Sequence, residues 1–134
     1  AQSEAATGEP FVRHWMHVAM VFMNGHKMSK SLGNLVFIDR LRREHDPRAI
    51  RLMISANHYR NEWEWNDTLM PAATARLAAW TASADSQESE SVLQDVRNAL
   101  DEDLDTPAVV DIIDKAAAAG FATRHAAALL GVNL

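Results

Sequence analysis

Apolar residues change their spacing along this 134-residue chain, and the change falls near Ile38. Ahead of it, Phe11–Val21 is rich in aromatic and β-branched residues and predicts one or two strands. Asn24-Gly25 is a strong hairpin signal, because a type I′ turn needs positive φ at both positions. It predicts a hairpin with Ala19–Met23 as its first arm and His26-Lys27-Met28 leaving the turn. Ser29–Asn34 is polar with one glycine and predicts a loop, and Val36–Ile38 predicts a short strand. At the front, Ala1–Ala6 is helix-prone and Thr7-Gly8-Glu9-Pro10 breaks it, with Gly8 as C-terminal cap.

From Asp39 onward the spacing is helical. Asp39–Glu44 carries Leu41 among charges and predicts a short exposed helix. Asp46 as cap and Pro47 at the first helical position start a helix over Pro47–His58. Tyr59–Trp65 reads as an aromatic, charged connector. Asn66 or Asp67 caps the next helix, with Leu69, Ala73, Leu77 and Trp80 on one face. Ser83–Ser91 is small, polar and acidic and predicts a linker. Val92–Leu104, a segment opened by Thr106-Pro107 and ending near Gly120, and Thr123–Leu130 complete the helices. The prediction is a mainly α chain: a small β-hairpin element followed by about five helices, divided into residues 1–65 and a helical bundle over 66–134.

Composition narrows the function. At 48% hydrophobic and 23% charged residues, the chain has the balance of a globular protein rather than a disordered one. It has no apolar run long enough for a membrane span and no signal-peptide pattern. Cysteine is absent, which excludes disulfides, cysteine-ligated zinc and thiol catalysis within these residues, and a cytoplasmic address fits. The net charge of −5 is uneven. Residues 1–65 hold 9 basic and 7 acidic residues, whereas residues 66–134 hold 4 basic and 11 acidic. The front half can present an anion site, while the acidic back half would repel a phosphate backbone. The chain begins on Ala1 rather than Met and already in helix-forming sequence, so a piece of a longer protein is expected.

The chemistry concentrates in Lys27-Met28-Ser29-Lys30-Ser31 (KMSKS), directly after the hairpin turn. Two ammonium groups three residues apart converge on one polyphosphate when the loop curls. Ser29 and Ser31 add hydroxyl donors, and Gly33 permits close backbone approach. Such a loop suits the charge that builds on a departing pyrophosphate. A bare K-x-x-K is usually a solvated surface pattern; the full string between a hairpin and helices is far more specific.

With that string on the page, the sequence resembles the class I aminoacyl-tRNA synthetases, whose signature loop is KMSKS. Ala1 through Glu4, His14-Trp15-Met16-His17, Asn24-Gly25, Leu32-Gly33-Asn34, Asp46-Pro47, Ile50-Arg51, His58-Tyr59-Arg60 and Leu104-Asp105-Thr106-Pro107 look like the cysteinyl-tRNA synthetase branch. Trp63-Glu64-Trp65 and the terminal Leu129-Leu130-Gly131-Val132-Asn133-Leu134 look like its second group, the mycothiol cysteine ligases. The resemblance implies the end of a Rossmann-like catalytic core, and an AMP-forming reaction of cysteine with ATP and Mg2+. It implies Lys27 and Lys30 as catalytic residues, and Lys27, Met28, Ser29, Lys30, Ser31, Met20 and Val21 around ATP. The acceptor would be glucosaminyl-inositol, or tRNA in the alternative. The family's HIGH motif and its Zn2+ ligands would lie upstream of Ala1, in a missing N-terminal half of the core. This chain alone is then expected to be inactive and to hold no metal.

Other residues carry weaker alternatives. Trp15 and His17 either face an adenylate or pack in a core, and Met20 and Val21 either offer backbone bonds to adenine or pack likewise. His14 and His17 fall on opposite faces of a strand, which argues against a shared metal. His26 is expected to be exposed on the loop. Tyr59, Trp63 and Trp65 form an aromatic cluster that can stack on a sugar or base, though interdomain packing is the commoner use of such a cluster. Arg40, Arg42 and Arg43 read as a solvated helix face, and Asp101–Asp105 as a helix end and acidic cap, since it lacks calcium-loop spacing.

Overall fold

The computed structural model describes residues 2–134. Ala1, where the first predicted helix begins, lies outside the described residues. Helix α1 (Gln2–Thr7) closes on Gly8, whose φ of 73° and N–H bond to the Glu4 carbonyl (2.8 Å) form the expected cap.

Phe11–Val21 is not a strand through most of its length. Only β1 (Val21–Met23) forms, and it pairs antiparallel with β2 (His26–Lys27) and parallel with β3 (Trp63–Trp65). Strand propensity describes side chains that suit a half-buried pleated surface. Here Phe11, Trp15, Met16 and Val18 remain more than half exposed, with no sheet to cover them among the described residues. Two bonds do tie down the end of the stretch: Ala19 N–H to the Tyr59 carbonyl (2.8 Å) and Trp63 N–H to the Met20 carbonyl (3.4 Å). The turn is as predicted. Asn24 and Gly25 have φ of 53° and 72°, and Met23 faces His26 across it.

β3 lies inside the segment predicted as a connector. Its partner, β1, lies some forty residues earlier, so no local turn signal announces it. Val36–Ile38 is not a strand either: Ile38 opens α2 (Ile38–Glu44), and Val36 packs against the core from a loop.

Helix α3 (Pro47–Ser55) starts as predicted, with Asp46 Oδ1 accepting from Arg48 N–H at 2.8 Å. It ends at Ser55 rather than His58, because Asn57 turns back on the helix end. Its side-chain amide donates to the Met53 carbonyl (2.9 Å) and its N–H to Ile54 (3.0 Å). Asn66 Oδ1 accepts from Thr68 N–H (3.0 Å), and α4 (Leu69–Ala82) follows. Helix α5 (Glu90–Asp101) is shorter than the predicted Val92–Leu104 at its end, since Asp103 and Leu104 take positive φ of 51° and 56°. Asp105 caps α6 (Thr106–Ala118) by accepting from Ala108 N–H (3.0 Å), and α7 (Arg124–Leu129) precedes Gly131, at φ 70°.

Among the described residues six helices follow the hairpin, each at one of the segments predicted as helix, and the chain is mainly α with a three-stranded sheet in the order β2-β1-β3. One apolar core joins α2 and α3 to the later helices through Leu41, Leu52, Trp80, Val96, Ile113 and Val132. Each fully buried aliphatic side chain there is worth about 1.5–3 kcal/mol. The predicted linker is partly drawn into this core: Ser83 and Ala84 are buried, while Thr123 Oγ1 donates to the Trp80 carbonyl at 2.6 Å.

Candidate functional site

The hairpin delivers the KMSKS residues to the surface. Lys27 is the last residue of β2 and pairs with Phe22 of β1. Met28 N–H then bonds to the Val21 carbonyl at 2.9 Å, fixing the start of the loop against the sheet. Lys27, Lys30 and Ser31 are exposed, and Met28 and Ser29 are half-buried. Among the described residues no carboxylate forms an ion pair with either lysine.

Asn34 organises the loop, and sequence reasoning gave it no such role. Its Oδ1 accepts from Ser29 N–H at 2.8 Å, while its amide donates toward the carbonyls of His26 (3.5 Å) and Lys27 (3.4 Å). Within the loop, Ser29 Oγ accepts from Leu32 N–H (3.3 Å) and lies 3.2 Å from Ser31 Oγ, and Gly33 N–H bonds to the Lys30 carbonyl (3.2 Å). The two serine hydroxyls are therefore side by side.

The remaining predicted residues sit on the approach to β1 and, for Val21, at its first position. Trp15 and His17 are exposed and stack on each other, ring centroids 6.2 Å apart. Met20 is 44% exposed and Val21 half-buried. Their carbonyls already accept from Trp63 and Met28, leaving one lone pair each for any further donor. His26 is exposed, as expected. Arg43 pairs with Asp39 (2.7 Å) on the exposed face of α2, and Trp63 and Trp65 pack against the core. The zinc that the resemblance implies finds no donor set here: cysteine is absent, and among the described residues no three His, Asp or Glu converge. No helix among the described residues is long and apolar enough to cross a membrane. A cavity of about 370 Å³ beside Asp85, Glu88, Arg124 and His125 contains none of the loop residues.

A second cluster holds the sheet to the helices. Asp103 accepts from Arg60 Nε (2.5 Å) and Nη2 (2.9 Å) and from the Tyr59 hydroxyl (2.6 Å), and its carbonyl lies 3.2 Å from His58 Nε2. The bonds from Arg60 first, then Tyr59, hold its carboxyl at about 2, below the usual 3.8. The same contact raises the Tyr59 hydroxyl above its ordinary 10.0. The His58-Tyr59-Arg60 string thus docks the α5–α6 turn, and the Tyr59 carbonyl anchors Ala19 on the way into β1.

Residues 1–75, which contain this hairpin, loop and cluster motif, match the class I (C) tRNA synthetase catalytic domain. The chain belongs to that family. This synthetase-family chain is also similar over its whole length to proteins named L-cysteine:1D-myo-inositol 2-amino-2-deoxy-alpha-D-glucopyranoside ligase. It is 42% identical to the Streptomyces avermitilis protein, with 100% of this chain and 37% of that protein covered. It is 46% identical to the Clavibacter sepedonicus protein, over 97% and 36%. The Nakamurella multipartita protein is also 46% identical, over 100% and 35%. The chain therefore spans little more than a third of these relatives. The family match covers the sheet, the KMSKS loop and the start of α4, while the ligase similarity continues through the later helices.

Proposed function

We propose that the protein carrying this chain activates L-cysteine with ATP and transfers the cysteinyl group to the amine of glucosaminyl-inositol. The observation that carries this is similarity across the entire chain to ligases whose name states that pair of substrates. In the first step a cysteine carboxylate oxygen attacks the ATP α-phosphorus, forming cysteinyl-adenylate and releasing pyrophosphate. Lys27 and Lys30 stabilise the charge that builds on the departing pyrophosphate, and the Ser29 and Ser31 hydroxyls supply further donors. Met20, Val21 and Met28 border the nucleotide, and Trp15 with His17 stands near the adenylate. In the second step the sugar amine attacks the acyl carbon, AMP leaves, and an amide forms.

In this reading residues 1–65 complete a catalytic core whose HIGH stretch, absent from this sequence, comes from elsewhere in the protein. Residues 66–134 form its helical bundle. Alone, the chain adenylates cysteine poorly. The Zn2+ of the branch belongs to residues outside this chain, ATP acts with Mg2+, and the protein works in the cytoplasm.

The family match also fits a cysteinyl-tRNA synthetase, in which the acceptor is the terminal ribose hydroxyl of tRNA. Charge favours the amino sugar. After residue 65 the chain offers Arg76, Arg97, Lys115 and Arg124 against 11 carboxylates, a poor surface for a phosphate backbone. Three of these four are already paired with Asp114, Asp111 and Asp85. A competition decides the acceptor: full-length protein receives ATP, labelled cysteine, glucosaminyl-inositol and cysteine tRNA. Label is expected in the amide. Label in the tRNA alone overturns the ligase reading.

A further inference from the structure

The Asn24-Gly25 turn leaves backbone donors over, the N–H of Gly25 among them. In a two-residue hairpin the flanking residues exchange the ladder bonds, so the N–H of the second turn residue has no partner within the hairpin. Glu64 supplies one: its Oε1 accepts from Gly25 N–H at 2.8 Å. The register explains the reach. Phe22 faces Lys27 on one side and Glu64 on the other, so the three side chains stand in one row on the same face of the sheet. Among the described residues no cation pairs with Glu64, and its carboxylate serves the turn. The hairpin has two paired positions, Phe22 with Lys27 and Met23 with His26, and a ladder that short is marginal alone. β3 backs it on one edge, and Glu64 ties the tip.

We propose that Glu64 is a positioning residue for the KMSKS loop: by holding the Gly25 N–H, it fixes the turn and so sets where Lys27 and the loop after it meet phosphate. The inference rests on the reading of Lys27 and Lys30 given above. A displacement of about 1 Å in a group that must meet a transition state costs on the order of a hundredfold in rate. Loosening the turn two residues before Lys27 therefore acts on catalysis more than on folding. Glu64 is exposed, and its removal opens no cavity in the core.

Reach and charge separate cleanly at this position. Glu64→Gln keeps a carbonyl oxygen at the same reach and loses the charge; Glu64→Asp keeps the charge and falls one methylene short of the turn. The assay is single-turnover cysteinyl-adenylate formation by the full-length protein, with cysteine KM and melting temperature followed in parallel. Glu64→Gln is expected within about threefold of wild type, and Glu64→Asp and Glu64→Ala about tenfold slower or more, with cysteine KM and melting temperature unchanged. Lys30→Ala serves as the reference. If Lys30→Ala is slow while Glu64→Asp runs at the wild-type rate, the inference is overturned and the reading of the loop stands. If Glu64→Gln is as slow as Glu64→Asp, charge rather than reach is at work, and the inference is again overturned. A wild-type rate in Lys30→Ala overturns the reading of the loop and the inference with it. Should Glu64→Ala fail to fold, the Asp and Gln pair still decides.

Discussion

Replacing Asp114 with alanine removes one acceptor from two donors on α4. Trp80 is fully buried, and its Nε1–H bonds to Asp114 Oδ1 at 2.7 Å. One turn earlier, Arg76 Nε lies 3.1 and 2.9 Å from the two carboxylate oxygens. Leaving the indole N–H buried and unpaired costs about 1–3 kcal/mol. The ion pair, with side chains 27% and 37% exposed, adds about 0–1 kcal/mol once solvent screening is allowed for. Asp114→Ala is therefore expected to destabilise by about 2–3 kcal/mol, whereas Asp114→Asn, which keeps an acceptor for the indole, should cost about 1 kcal/mol. Urea unfolding followed by far-UV circular dichroism measures both. With a slope of about 2 kcal/mol per molar, the alanine midpoint should fall by about 1 M and the asparagine midpoint by about half that. Alanine and asparagine variants equal to within about 0.5 kcal/mol would refute the reasoning, since the indole bond would then contribute nothing.

Lys30→Ala in the full-length protein should slow adenylate formation by about 10² or more, with cysteine affinity unchanged; a rate within about threefold of wild type removes Lys30 from the chemistry. Asn34→Ala should raise amide exchange at Ser29 and its neighbours, where the Asn34 carbonyl oxygen now accepts, without changing exchange in α4; equal protection in both proteins would show that the loop holds its shape unaided. The Asp103 cluster sets a pH dependence. Its folded pKa of about 2 is below the usual 3.8, so its contribution is present above about pH 4 and is lost as pH falls toward 2. The melting-temperature gap between wild type and Asp103→Asn should accordingly be open at neutral pH and close toward about pH 2; a gap that persists there would assign the effect to something other than the carboxylate charge.

What the sequence made legible was local. Asn24-Gly25, Asp46-Pro47 and Asp105-Thr106-Pro107 each carry their own geometry within a few residues, and each forms where predicted. The KMSKS string is equally compact. Misreadings arose where the outcome depends on a distant partner. Phe11–Val21 has strand composition but pairs only at its end, while Trp63–Trp65 becomes a strand because β1 is there to meet it. The same holds at the site. Asn34 acts five residues back on Ser29, within reach of local reasoning, but Gly25 and Glu64, or Arg60 and Asp103, meet across about forty residues that no spacing rule connects. The α5 boundary was missed because two non-glycine residues, Asp103 and Leu104, take positive φ to present the Asp103 carboxylate.

The parallel pairing of Val21 with Trp63 sets an order of events as the chain emerges during synthesis. The hairpin and its lysines are made early, yet the strand that backs them and the carboxylate that ties their turn arrive only after α2 and α3. Closing a loop of about forty residues costs about 3 kcal/mol in chain entropy, before any constant term. Two or three strand pairs alone repay little of that. The debt is met when α3 docks on α4 and carries β3 into place. The KMSKS loop therefore matures late, after helices α2 and α3, and an unfinished chain displays it without β3 behind the hairpin.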